Sequence, residues 1–93
     1  MGEIKKHHKE ILNEKLYDTA RAEVILDFSD ETIFKTKKGS YFSAKKMSGI
    51  CVNGDVGTSY VEIKIITEDY LKDMLGRYYV DEYIRIFGEV EEA

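Results

Sequence analysis

The sequence predicts a two-layer α+β domain. An N-terminal helix packs on a mainly antiparallel sheet of about four to five strands, with a short second helix before the last strand. Three observations predict it. Apolar residues recur at helical spacing from Ile4 to Ala20, the spacing switches to two at Val24, and Thr67 opens a second helical stretch. Ninety-three residues place all of this in a single domain, 1–93.

For the first helix, Ile4, His8, Ile11, Leu12, Leu16 and Ala20 fall on one helical stripe. No Gly or Pro interrupts Glu3 to Arg21. Val24, Leu26 and Phe28 then alternate with Glu23, Ile25 and Asp27 as in a half-buried strand. Ser29-Asp30-Glu31 reads as a turn, Thr32 to Lys37 as a second strand, Lys38-Gly39-Ser40 as a break and Tyr41 to Ala44 as a short third strand. Ile50-Cys51-Val52 forms another strand candidate, and Asn53-Gly54 marks a hairpin that Gly57 extends into a longer loop.

Thr58 to Ile66 is the clearest strand, with Val61, Ile63 and Ile65 on the apolar face and Tyr60, Glu62 and Lys64 on the other. Thr67 is the expected N-cap of the second helix, and Glu68 and Asp69 complement its dipole. Leu71, Met74, Leu75 and Tyr78 supply its buried stripe, and Gly76 lies near its end. Glu82 to Phe87 is read as the last strand, followed by a fraying acidic end.

The composition, 43% hydrophobic and 34% charged, suits a small core and is too apolar for a disordered chain. The longest uncharged stretch, Met47 to Gly54, is far short of the ~20 apolar residues of a spanning helix, so no membrane association is expected. No charged-then-apolar leader is recognised, and Cys51 has no second Cys to pair with. Both suit a cytoplasmic protein.

Catalytic and metal readings are weak. Cys51 is the sole thiol and sits between Ile50 and Val52, the place of a small core residue. His7 with Glu3 and Glu10 can share a helix face, yet no second element closes a zinc cage, and no metal or other cofactor is expected. Gly49, Gly54 and Gly57 lack the Gly-Lys-Ser/Thr that opens a phosphate-binding helix.

Charge and aromatic content point to binding. Residues 24–48 carry Lys35, Lys37, Lys38, Lys45 and Lys46 against three acids, whereas residues 49–93 carry ten acids against four bases. The overall charge of −4 argues against unselective duplex DNA binding. Acids such as Asp69, Asp73, Asp81 and Glu82, with tyrosines too numerous for a small core, form the favoured surface for a protein partner: Tyr60, Asp69, Asp73, Tyr79, Asp81 and Glu82.

The expectation is therefore a non-enzymatic protein-binding protein. Its A/T-rich codon style and small size suggest a phage or plasmid accessory that inhibits or regulates a nucleic-acid-handling partner such as a defence nuclease. The alternative is a nucleotide or single-stranded nucleic-acid binder using Lys35, Lys37, Lys38, Tyr41, Lys45 and Lys46. A homo-oligomer pairing edge strands or the first helix is the third reading.

Overall fold

The computed structural model describes residues 4–50 and 56–93. The chain runs through β1 (Ile4–Lys6), β2 (Lys9–Leu12), β3 (Lys15–Asp18), β4 (Glu23–Asp27), β5 (Glu31–Lys35), β6 (Tyr41–Ile50), β7 (Val56–Ile66), α1 (Glu68–Tyr78) and α2 (Val80–Phe87). Strands β4 to β7 form an antiparallel meander, and β1 lies parallel to β7, giving the order β1-β7-β6-β5-β4. Among the described residues, strands β2 and β3 pair only with each other.

The N-terminal helix expected over Glu3 to Arg21 is replaced by β1 and the β2–β3 hairpin. Asn13 and Glu14 decide this, with φ of 52° and 63°. Two consecutive left-handed residues make the two-residue turn whose twist suits a hairpin, and a right-handed helix cannot pass through them. The helical stripe accordingly splits. Leu12 packs against the core, while Ile11 and Leu16 stay exposed. Tyr17, off the stripe, becomes the anchor, its ring meeting Phe42 edge-on at 5.5 Å.

Glu14→Gly separates the two arrangements by sign. Glycine removes the Cβ clash at a positive φ, so the hairpin gains roughly 0.5–1 kcal/mol, whereas a helix loses about as much. The urea midpoint is expected to rise.

The expected last strand, Glu82 to Phe87, is instead helix α2. Six residues with apolar Tyr83, Ile84, Ile86 and Phe87 fit either period. Packing selects the helix, because Tyr83, Ile86 and Phe87, spaced i, i+3 and i+4, reach one core together. Helix α1 follows its expected start, with the Thr67 hydroxyl accepting from the Tyr70 amide at 3.0 Å. Leu71 and Leu75 are fully buried, but Tyr78 is exposed because the chain turns out of α1 at Tyr79.

The expected two layers become three. Alternation along β5 and β6 sends Phe34, Phe42 and Ala44 to one face, where Tyr60, Ile63 and Tyr17 of the hairpin join them. Ile33 and Tyr41 go to the other, with Leu26 and Ile66 beneath Leu71 and Leu75. A sheet covered on both faces carries apolar residues at consecutive positions, as Ile33-Phe34 and Tyr41-Phe42 do.

The third strand is longer than the expected Tyr41–Ala44, because β6 and β7 pair out to Ile50 and Val56. Cys51, Val52 and the Asn53-Gly54 turn lie outside the described residues.

Candidate interaction surface

Tyr60 was expected to point away from the core, and it is buried instead, 5% exposed. In the β6–β7 register Lys45 faces Glu62 and Lys46 faces Tyr60, so Val61 is an extra residue that reverses the alternation. The Tyr60 ring meets Phe34 edge-on at 5.4 Å. Its hydroxyl donates to Thr32 Oγ1 at 3.1 Å, and Thr32 donates to Asp27 Oδ1 at 3.0 Å. The Lys46 ammonium donates to the same Asp27 oxygen and to Phe28 O. Tyr60 and Lys46, expected in two different sites, thus share one internal network that ties β4 and β5 to the long hairpin.

The lysine–aromatic stretch is dispersed in the same way. Phe34 and Phe42 stack in the core with centroids 4.9 Å apart, and Tyr41 is buried on the opposite face with Lys35 Nζ 5.8 Å from its ring centre. Lys45 stands across from Glu31 and Glu62, beside a shallow open depression of about 340 Å³ that Lys64, Ser43 and Asp30 also line. Lys37 and Lys38 are exposed in the β5–β6 turn, as Lys45 is on β6. The aromatic residues of β6 are covered on both faces, and among the described residues none forms an open platform beside these lysines.

Of the residues expected at the partner surface, Asp69, Asp73, Tyr79 and Asp81 are exposed on or between the helices. Between Glu68 and Glu92 the chain carries eight acids and three bases. Each base is engaged within its own helix: Lys72 with Glu68 at 3.4 Å, Arg77 with Asp73 at 3.1 Å and Arg85 with Glu82. Asp69 and Asp81 are exposed and take part in no ion pair among the described residues. Tyr70, Tyr78, Tyr79 and Val80 are exposed in the same segment of chain, with Tyr79 braced by Phe28 at 5.2 Å between ring centres. Tyr78 and Val80 were absent from the expected surface. Tyr78 was assigned to the buried stripe, and only the break at Tyr79 turns it outward.

Charged side chains bind backbone groups of the edge strand β4 and of β7 past the stretch that pairs with β1. Arg85 Nη2 donates to Ile25 O of β4, across a groove of about 390 Å³ between that strand and α2. Ile25 is itself an extra residue in the β4–β5 register. Glu10 Oε2 accepts from the Ile63 amide of β7 at 2.8 Å and from His8 Nε2 at 2.9 Å. A bulge and edge-bound charges are devices that discourage another strand from pairing. His7 contacts Thr19 Oγ1 at 3.0 Å. The residues described include no group of three metal ligands, and Glu3 and Cys51 lie outside them.

Among the described residues, the carboxyls of Glu10, Asp27 and Glu82 are held below their ordinary range. The Ile63 amide, then His8, holds Glu10 down; the Lys46 ammonium holds Asp27 down; Arg85 holds Glu82 down and is itself raised by it. A carboxyl with a depressed folded value contributes stability above its unfolded value and loses it as pH falls through the folded one. Stability is therefore expected to decline as pH drops below the ordinary 4.5 of Glu10 and 3.8 of Asp27. Glu10→Gln should flatten the upper part of that decline in urea titrations.

A scan against protein-family models, a search of curated proteins and a search of solved structures each returned no match.

Proposed function

We propose that this chain is a non-enzymatic binding protein that presents the α1–α2 layer to a basic surface of another protein. The observation that carries this reading is the pairing pattern on the helices. All three bases there are held by neighbouring acids, while Asp69 and Asp81 enter no ion pair among the described residues and Tyr70, Tyr78 and Tyr79 are exposed in the same segment. Tyrosine supplies contact area with little ordering entropy, and an uncompensated negative field steers a positive partner and excludes a negative one. A nucleic-acid channel of an enzyme such as a nuclease has the required potential. An accessory role in a mobile element rests on composition alone.

The nucleic-acid reading is disfavoured by the burial of Tyr41 and the engagement of Lys46 with Asp27. Affinity capture from host lysate, with and without nuclease, distinguishes the two. A protein that survives nuclease, is lost with Tyr78→Ser plus Asp81→Lys and is kept with Lys37→Ala plus Lys38→Ala is the expected result. Recovery of nucleic acid that depends on those lysines would overturn the proposal.

A further inference from the structure

We infer that the Glu10 carboxylate is a charge-dependent latch. It holds the β2–β3 hairpin as a cover over one face of the sheet, and protonation releases that cover while the sheet and helices stay folded.

The latch stands where strand pairing stops. Strand β1 pairs with β7 at Thr58 and Ser59. Further along β7, the Ile63 amide donates to Glu10 Oε2 at 2.8 Å. A carboxylate oxygen thus takes the place that a neighbouring strand's carbonyl would fill. His8 Nε2 lies 2.9 Å from the same oxygen. An ionised carboxylate only accepts, which suits an oxygen that meets two donors. Bonds to a charged acceptor are also about twice as strong as neutral ones.

The other holds on the hairpin are apolar or internal to it. Among the described residues, β2 and β3 form no ladder with the main sheet. Tyr17 rests edge-on against Phe42, and Leu12 packs at the margin of the same cluster. Thr19 bonds to His8 and His7, which closes the base of the hairpin on itself.

The groups around Glu10 set what its charge does. His8 is the titratable neighbour that shares the latch oxygen. From β3, Tyr17 stands opposite Glu10 with Lys15 beyond it on the same face, whereas Lys9 and Asp18 alternate to the other face. From β7, Glu62 and Lys64 flank Ile63 but alternate to the far face of the sheet. His7 is turned to Thr19, its ring 6.1 Å from that of Tyr60, and Lys6 is exposed at the end of β1. Loss of the Glu10 charge leaves the Ile63 amide with a weaker, neutral acceptor.

With the hairpin released, Glu10 titrates at its ordinary 4.5; with it closed, the Ile63 amide and then His8 hold it lower. The charged latch therefore favours closure above the ordinary value, and that advantage is lost as pH falls through the lowered one. Asp27 is also held low, by Lys46, but that pair joins β4 to β6 within the sheet. Release uncovers Phe34, Phe42 and Ala44 and leaves the cluster around Leu71 and Leu75 on the opposite face in place. The α1–α2 layer lies on that opposite face, so the partner-binding reading stands or falls independently of the latch.

Amide exchange of the full chain, corrected for intrinsic rates and run from neutral pH to below the ordinary value of Glu10, tests the inference. An isolated two-stranded hairpin is marginally stable in water, so release removes its protection. Opening at Ile63 and in β2 and β3 is expected to rise by about tenfold or more in acid, while amides of β5 and β6 stay protected. The Ile63 amide proton shift should titrate together with the Glu10 carboxyl. Glu10→Gln should show the raised hairpin opening already at neutral pH and no further rise in acid, and Asp27→Asn should keep the acid response of the hairpin. An Ile63 shift that ignores the Glu10 titration, or wild-type hairpin protection in Glu10→Gln, would overturn the inference. Joint loss of protection in the hairpin and β6, in acid or in Glu10→Gln, would overturn it as well.

Discussion

Phe42→Ala is expected to lower stability by about 3–5 kcal/mol, the range for removing a large aromatic from a core that does not collapse. The Phe42 side chain is 0% exposed. It stacks on Phe34 with centroids 4.9 Å apart and meets Tyr17 of the hairpin edge-on at 5.5 Å. Removing the ring therefore takes away the surface on which the hairpin rests as well as a partner within the sheet. A domain of this size is stable by only about 5–15 kcal/mol, so the loss is a large fraction of the whole. In urea the midpoint should fall sharply. Phe42→Leu preserves most of the volume and should lose less than about 1.5 kcal/mol, which keeps the comparison measurable if the alanine variant does not fold. Equal effects for Leu and Ala would mean that this side of the sheet is not the packed core described.

Leu75→Ala is expected to lower stability by about 2–5 kcal/mol, and to do so unevenly across the molecule. Leu71 and Leu75 are the two fully buried residues of the helices. They cover Leu26, Ile33, Tyr41 and Ile66 on the face opposite Phe42. With that contact weakened, α1 and α2 should open at lower free energy than the sheet. Amide exchange would then quicken in Leu71 to Phe87 before it changes in β5 and β6. Uniform quickening across both regions would argue that the two cores unfold as one unit. The comparison also guards the binding proposal, since a variant that loosens α1–α2 should weaken partner capture while leaving Tyr70, Tyr78, Asp69 and Asp81 in place.

Local chemistry was legible where one residue type has one dominant use. Thr67 followed by Glu68 and Asp69 announced the start of α1, and the alternation of Val24 and Leu26 announced a strand. The N-terminal hairpin was not legible. Its turn is Asn13-Glu14 rather than a glycine pair, and its aliphatic residues happen to match a helical stripe. The last element was ambiguous for another reason, since a run as short as Glu82 to Phe87 satisfies both periods.

The candidate surface was half legible. Asp69 and Asp73 lie on α1, the helix expected there, whereas Asp81 and Glu82 lie on α2 where a strand was expected, and Tyr60 is buried in the sheet. The extra residue Val61 changes which face Tyr60 occupies, and a register shift between two strands leaves no mark within either strand alone. Lys46 is a similar case. Its partner Asp27 is nineteen positions away and becomes a neighbour only when β4, β5 and β6 align.

Composition and local pattern were sufficient for a small mixed α and β domain, for the meander of its central strands and for the acidic end beside α1. Those properties depend on side chains close together in the chain, whose preferences add. Whether the first twenty residues form a helix or a hairpin, whether the sheet is covered on one face or two, and which tyrosines remain outside were decided by contacts between distant residues. Tyr17 against Phe42, Glu10 on the Ile63 amide and Leu75 over Ile33 are contacts that residues near in the chain do not encode. At those positions the tertiary contact overrides the local preference.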